Sequence, residues 1–194
     1  RELLGEVFRQ PVPRNESVRD RSTKATGRMS GIRIYRSGQR TKSPGILFFR
    51  GGGFVAGSIA THGVYALGIA EASGFPVISI NYRLAPENPY PAAVEDAYDA
   101  LVWIVEHADR LELDADRLAV GGDSAGGTLT AALTLMARDR GGPGIAYQYL
   151  VFPALDTDLN SGSYLTNTED PYLTRDHMAY YWDAYLEGRM DTAD

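Results

Sequence analysis

Gly122-Asp123-Ser124-Ala125-Gly126 is a Gly-x-Ser-x-Gly pattern between two contrasting segments. Leu118 to Gly121 ahead of it reads as a short apolar strand, and Gly127 to Arg138 behind it reads as a helix. A serine on a sharp strand-to-helix turn holds its hydroxyl clear of the backbone, at the positive end of the helix. The flanking glycines let such a turn tighten without a Cβ clash. The chemistry this suggests is nucleophilic acyl transfer by Ser124. The bland alternative is a glycine-rich turn whose serine merely caps the helix.

Acyl transfer needs a base, an orienting acid and an oxyanion hole. The amide of Ala125, the residue after the nucleophile, is one candidate donor. Gly51-Gly52-Gly53 follows the apolar run Gly45 to Arg50, and the amides of Gly51 and Gly52 are the other candidates. The same glycines could serve a plain turn or a phosphate cradle. A P-loop would end in Gly-Lys-Ser/Thr, whereas Phe54-Val55 follow here. The three histidines are His62, His107 and His177. His62 lies next to the glycine loop, where a hydrogen bond from it could hold that loop. His107 ends a helix and reads as a surface residue. His177 is the best placed of the three for a local base, with Asp156 or Asp158 as its acid. Phe54 and Tyr181 are candidate binding residues. Tyr149, Phe152, Tyr180 and Trp182 are further candidates for an apolar pocket, although aromatic side chains at helical spacing more often pack a core.

These residues need a scaffold, and the chain supplies an alternating one. Buried strands are expected at Ile32 to Arg36, Gly45 to Arg50, Pro76 to Ile80, Leu118 to Gly121 and Tyr147 to Phe152. Helices are expected from a Ser58 or Thr61 cap to Ser73, over Ala92 to His107, over Thr128 to Arg138, and from Thr174 to Leu186, with a short one at Glu2 to Arg9. Asp156 to Asp170 reads as a loop. Strands alternating with helices imply an α/β fold with a mostly parallel sheet and flanking helices.

The chain has 194 residues, 44% hydrophobic and 23% charged, with a net charge of -6. That is ordinary globular composition, enough for one core. With no basic stripe, a nucleic-acid partner is not expected. The absence of cysteine excludes disulfides and thiolate chemistry. No run reaches membrane-spanning length. No grouping suggests a metal, no cofactor is expected, and a cytoplasmic location is the expectation. Arg1 in place of Met suggests a start inside a longer chain.

Several motifs together resemble the hormone-sensitive-lipase-like family of α/β-hydrolase carboxylesterases. They are Gly51-Gly52-Gly53-Phe54, Asn81-Tyr82-Arg83-Leu84-Ala85-Pro86-Glu87, Pro91-Ala92-Ala93 with Asp96, and Gly122 to Gly127. The resemblance runs from about Ile32 to Met190. It implies an α/β-hydrolase fold and hydrolysis of short to medium acyl esters with Ser124 as nucleophile. It also implies that Asp123 fixes the elbow, and that Arg83 and Glu87 tie the proline-rich loop to the core. Residues 1–31 would form an arm or partial lid, 32–155 the N-terminal part of the core, and 156–194 a lid and pocket segment.

Two departures stand out. The family motif begins His-Gly-Gly-Gly, and Arg50 stands in place of that histidine. A long, always charged side chain is expected to steady the loop poorly. The family's catalytic Asp and His also fall downstream of Asp194. A complementing C-terminal chain is therefore the expected partner, beside the ester substrate and a possible homo-oligomer. A pseudo-esterase or ligand-binding module is the alternative function. Without that partner, Tyr147 to Phe152 would be an exposed apolar sheet edge.

Overall fold

The computed structural model describes residues 18–21, 31–38, 42–166 and 172–189. The expected Glu2 to Arg9 helix lies outside them. Six strands form one sheet: β1 (Val18–Arg21), β2 (Ile32–Tyr35), β3 (Ser43–Phe49), β4 (Val77–Ile80), β5 (Leu113–Asp123) and β6 (Tyr147–Val151). Their order is β1-β2-β4-β3-β5-β6. β4, β3, β5 and β6 run parallel, while β2 is antiparallel to β4 and β1 to β2. The expected mostly parallel sheet is present. β1 falls within the segment read as an arm.

Five helices are described: α1 (Gly63–Ser73), α2 (Ala92–Glu106), α3 (Ala125–Asp139), α4 (Gly162–Thr166) and α5 (Arg175–Leu186). The strands alternate their side chains between two cores. Leu47, Phe49, Ile78, Ile80, Leu118 and Val120 join α2, α3 and α5 on one side. Ile46, Phe48 and Val77 join Ala66, Leu67 and Ala70 of α1 on the other. Both faces of the central strands are thus buried, which is why they read as continuous apolar runs.

Two helix ends follow the expected local chemistry, and the expected cap of α1 does not. Gly74 ends α1 at φ 70°, its N–H donating to Ala70 O at 2.9 Å. Thr174 opens α5 in a capping box with His177. Ser58 and Thr61, expected as caps for α1, instead bond to each other. Ser58 N–H donates to Thr61 Oγ1 at 2.8 Å, and Thr61 N–H to Ser58 Oγ at 3.2 Å. The two side chains close their own turn before the helix begins.

β5 starts at Leu113, five residues ahead of the expected Leu118, because its early part pairs with the start of β3. α4 lies in the expected loop. β6 is an edge strand, with Tyr147 67% and Phe152 just beyond it 74% exposed. No described helix is long and apolar enough to cross a membrane.

One charged clamp ties the loop after β4 to α2. Asp96, fully buried, accepts from Arg83 N–H at 2.9 Å and from its guanidinium Nε and NH2 at 3.0 and 2.8 Å. Losing an acceptor shared by three such donors should cost about 2 to 3 kcal/mol. Asp96→Ala should lower the unfolding free energy measured by urea titration by that amount. Glu95→Ala, which opens the exposed pair with Arg140, should leave it nearly unchanged.

Candidate active site

The end of β5 delivers Ser124 onto a strained turn. Its φ and ψ are 50° and −123°, outside the ordinary basins for a residue with a Cβ. Such a conformation costs about 1 to 3 kcal/mol and persists only where its surroundings hold it. The Ser124 N–H donates to Val151 O of β6 at 2.9 Å, and its carbonyl accepts from Thr128 N–H at 3.1 Å. The hydroxyl makes no cap bond to α3, although Ser124 occupies the cap position. The simple capping reading therefore fails, and the hydroxyl is left for other work.

The elbow glycines are required by contact with β3. A Cβ on Gly122 would lie 2.4 Å from Phe49 O, and one on Gly126 would lie 1.9 Å from the same atom. The turn is thus pressed onto the carbonyl end of β3, where the glycine loop begins. One hydrogen bond then joins the two segments. Gly51 N–H donates to Asp123 Oδ1 at 3.0 Å. Burial pushes the Asp123 carboxyl above its ordinary range, against the pull of this N–H and of the Arg50 charge.

That bond corrects the expected donor set. The Gly51 amide is committed to Asp123, so it does not point at an incoming oxyanion. Gly52 behaves differently. Its carbonyl accepts from Val55 N–H at 3.1 Å and Ala56 N–H at 2.9 Å. The C=O and N–H of a trans peptide point in opposite directions. The Gly53 N–H is therefore turned away from the loop interior. The amides of Gly52, Gly53 and Ala125 make no hydrogen bond among the described residues. The sequence does not signal the free Gly53 amide, because three adjacent glycines carry no side chain to say which amide another group takes.

Arg50 also corrects its expectation. It is fully buried, with NH1 donating to Ala56 O at 3.1 Å and the guanidinium 4.2 Å from the Tyr82 ring centroid. Tyr82 OH in turn donates to Arg50 O at 2.7 Å. The long side chain folds back over an aromatic face and grips the far end of the glycine loop.

His62 is buried beside this group, with Nδ1 3.0 Å from Thr61 Oγ1. Burial, with Arg50 adding to it, lowers its pKa from 6.5 to about 4. His107 stacks on Trp103, with Nδ1 2.8 Å from Trp103 O.

The local triad is not assembled. His177 is exposed at the start of α5, and its Nδ1 accepts from Thr174 N–H at 3.2 Å. Asp156 is exposed and accepts from Asp158 N–H at 2.9 Å. No hydrogen bond among the described residues links either side chain to Ser124.

Of the candidate binding residues, Phe54 is withdrawn from any surface. It is 2% exposed and stacked on Tyr185 with centroids 3.9 Å apart. It fastens the glycine loop to α5. Tyr181 lies over the loop itself, since a Cβ on Gly53 would lie 2.4 Å from its ring. Trp182 is core, whereas Phe152 and Tyr180 are exposed and Tyr149 is half-buried. Among the described residues, no group of three or more acidic or histidine side chains could hold a metal.

The comparisons agree with this geometry. Residues 46–194 match a family described as alpha/beta hydrolase fold. The chain is 40% identical over 194 residues to Esterase LipI of Mycobacterium tuberculosis, covering 98% of this chain and 60% of that protein. Among solved structures, it resembles a hyperthermophilic esterase of the archaeon Pyrobaculum calidifontis. That match has TM-score 0.80 and 39% identity, over 95% of this chain and 59% of that one. A thermostable esterase of Pseudomonas putida superposes with TM-score 0.88 at 30% identity, over the same shares. The chain thus spans about three-fifths of the length of these relatives.

The depressed His62 pKa has a measurable consequence. Between pH 6.5 and about 4 the unfolded chain binds a proton there that the folded chain does not. Stability should fall as pH drops through that window. In His62→Gln, urea midpoints measured across it should change less with pH. With both lines of observation in place, sequence match and site geometry, the chain belongs to the α/β-hydrolase fold family.

Proposed function

We propose that this chain carries the nucleophile and oxyanion site of a carboxylic ester hydrolase working through a serine acyl-enzyme. The observation that carries the reading is the uncapped, strained Ser124 tied through Asp123 to a glycine loop with unengaged amides. Ser124 Oγ attacks the ester carbonyl carbon as a base takes its proton. The developing oxyanion lies against the N–H groups of Gly52, Gly53 and Ala125. The C–O bond to the alcohol breaks, and the same base returns the proton to that leaving oxygen. Water then attacks the acyl-enzyme by the reverse proton path, releasing the acid and the Ser124 hydroxyl.

The imidazole and its carboxylate come from polypeptide outside this chain. Two observations support that source. Ser124 Oγ makes no hydrogen bond among the described residues. β6 also presents an exposed apolar edge on which further strands can pair. Substrates are short to medium acyl esters, with Tyr181 bounding the site above Gly53.

The test is turnover of p-nitrophenyl butyrate with intact-mass analysis after exposure to a fluorophosphonate. The chain joined by its complementing polypeptide should be labelled once, at Ser124, and turn over at least about a thousandfold faster than the chain alone. Ser124→Ala should abolish both signals. Turnover that survives Ser124→Ala would refute the assignment. Tight binding of intact ester with neither label nor turnover would instead establish a ligand-binding module.

A further inference from the structure

Arg50 is an unusual group to find where it is. Its side chain is fully buried, and it forms no ion pair among the described residues. A buried cation is costly unless other groups replace its water. Three features do so in part, Nε being left without a hydrogen-bond partner among the described residues. NH1 donates to Ala56 O, the Tyr82 ring lies beneath the guanidinium, and the Asp123 carboxylate is close enough for the two charges to act on one another. All three belong to the frame of the glycine loop.

The contacts form a chain that ends at the proposed donors. Tyr82 OH holds the Arg50 carbonyl, and Asp123 holds the Gly51 N–H, so the peptide between residues 50 and 51 is fixed at both ends. The Arg50 guanidinium holds the Ala56 carbonyl at the far side of the loop. Ala56 N–H holds the Gly52 carbonyl, and that carbonyl sets the opposite direction of the Gly53 N–H. A Cβ on Gly52 would lie 2.3 Å from Ala56 O, so the two sides of the loop already touch. Any slackening at Ala56 is passed directly to Gly52 and Gly53.

We infer that Arg50 is a positioning residue for the oxyanion site: its guanidinium, clamped between the Tyr82 ring and Ala56 O, sets the direction of the Gly53 amide. The inference rests on the esterase reading above. A lysine at this position would keep the charge. It would lose the planar group that covers the ring while reaching the carbonyl. A methionine would fill much of the space and lose both.

The experiment measures kcat and KM for p-nitrophenyl butyrate in the catalytically complete protein, per Ser124 site titrated by a fluorophosphonate. Arg50→Met should lower kcat about 10- to 100-fold, the loss typical of small misplacements, with KM within about twofold. Arg50→Lys should show at least about half of that fall in kcat on a logarithmic scale. A merely structural role would reduce the number of titratable sites and leave kcat per site unchanged. Unchanged kcat per site in both variants would overturn the inference. If Arg50→Met does not fold, Arg50→Lys decides alone, with an unchanged kcat per site again overturning it. Failure of the esterase reading is separately visible, as absence of label and turnover in the wild-type protein.

Discussion

The hydrogen bond from Gly51 N–H to Asp123 Oδ1 is the constraint on which the rest of the site depends. It joins the carbonyl end of β3 to the carbonyl end of β5, two adjacent parallel strands. A nucleophile and its oxyanion donors lie on different segments, and their relative position must hold to a fraction of an ångström. Neighbouring parallel strands give the coarse alignment. The half-buried carboxylate next to Ser124 gives the fine one. Binding the first glycine amide leaves the next two unengaged, so in the proposed mechanism a single contact both joins the segments and selects the donors.

The surroundings follow from that arrangement. Ser124 can sit at φ 50° because both sides of the turn are held, by Val151 O on β6 and by the packing of Gly122 and Gly126 on Phe49 O. The loop is held from below by Arg50 and Tyr82 and from the side by Phe54 on Tyr185. Tyr82 is placed by its neighbour Arg83, which is clamped to Asp96 on α2. The charge on Asp96 thus contributes to the site at some distance, through the backbone of the loop that carries Tyr82.

The scaffold was legible because its signals are local. Apolar runs marked β3, β4 and the end of β5, and Gly74 and Thr174 marked helix ends through their own backbone chemistry. The Gly-x-Ser-x-Gly pattern marked the elbow for the same reason. What escaped the sequence depended on distant partners. β1 and the early part of β5 are strands because β2 and β3 offer them edges. The Gly51 N–H is taken by a carboxylate 72 residues away. Arg50 steadies the loop because Tyr82 offers a ring face, which the residue type alone could not show. Ser58 and Thr61 were misread as caps because hydroxyls serve turns and helix starts alike.

The most direct measurement of the central claim is a crystal structure of the Ser124 phosphonate adduct. The phosphoryl oxygen that mimics the oxyanion should lie about 3 Å from the amide nitrogens of Gly52, Gly53 and Ala125, with Gly51 N–H still on Asp123. An oxygen bound instead to Gly51 N, with the Asp123 contact broken, would contradict the account.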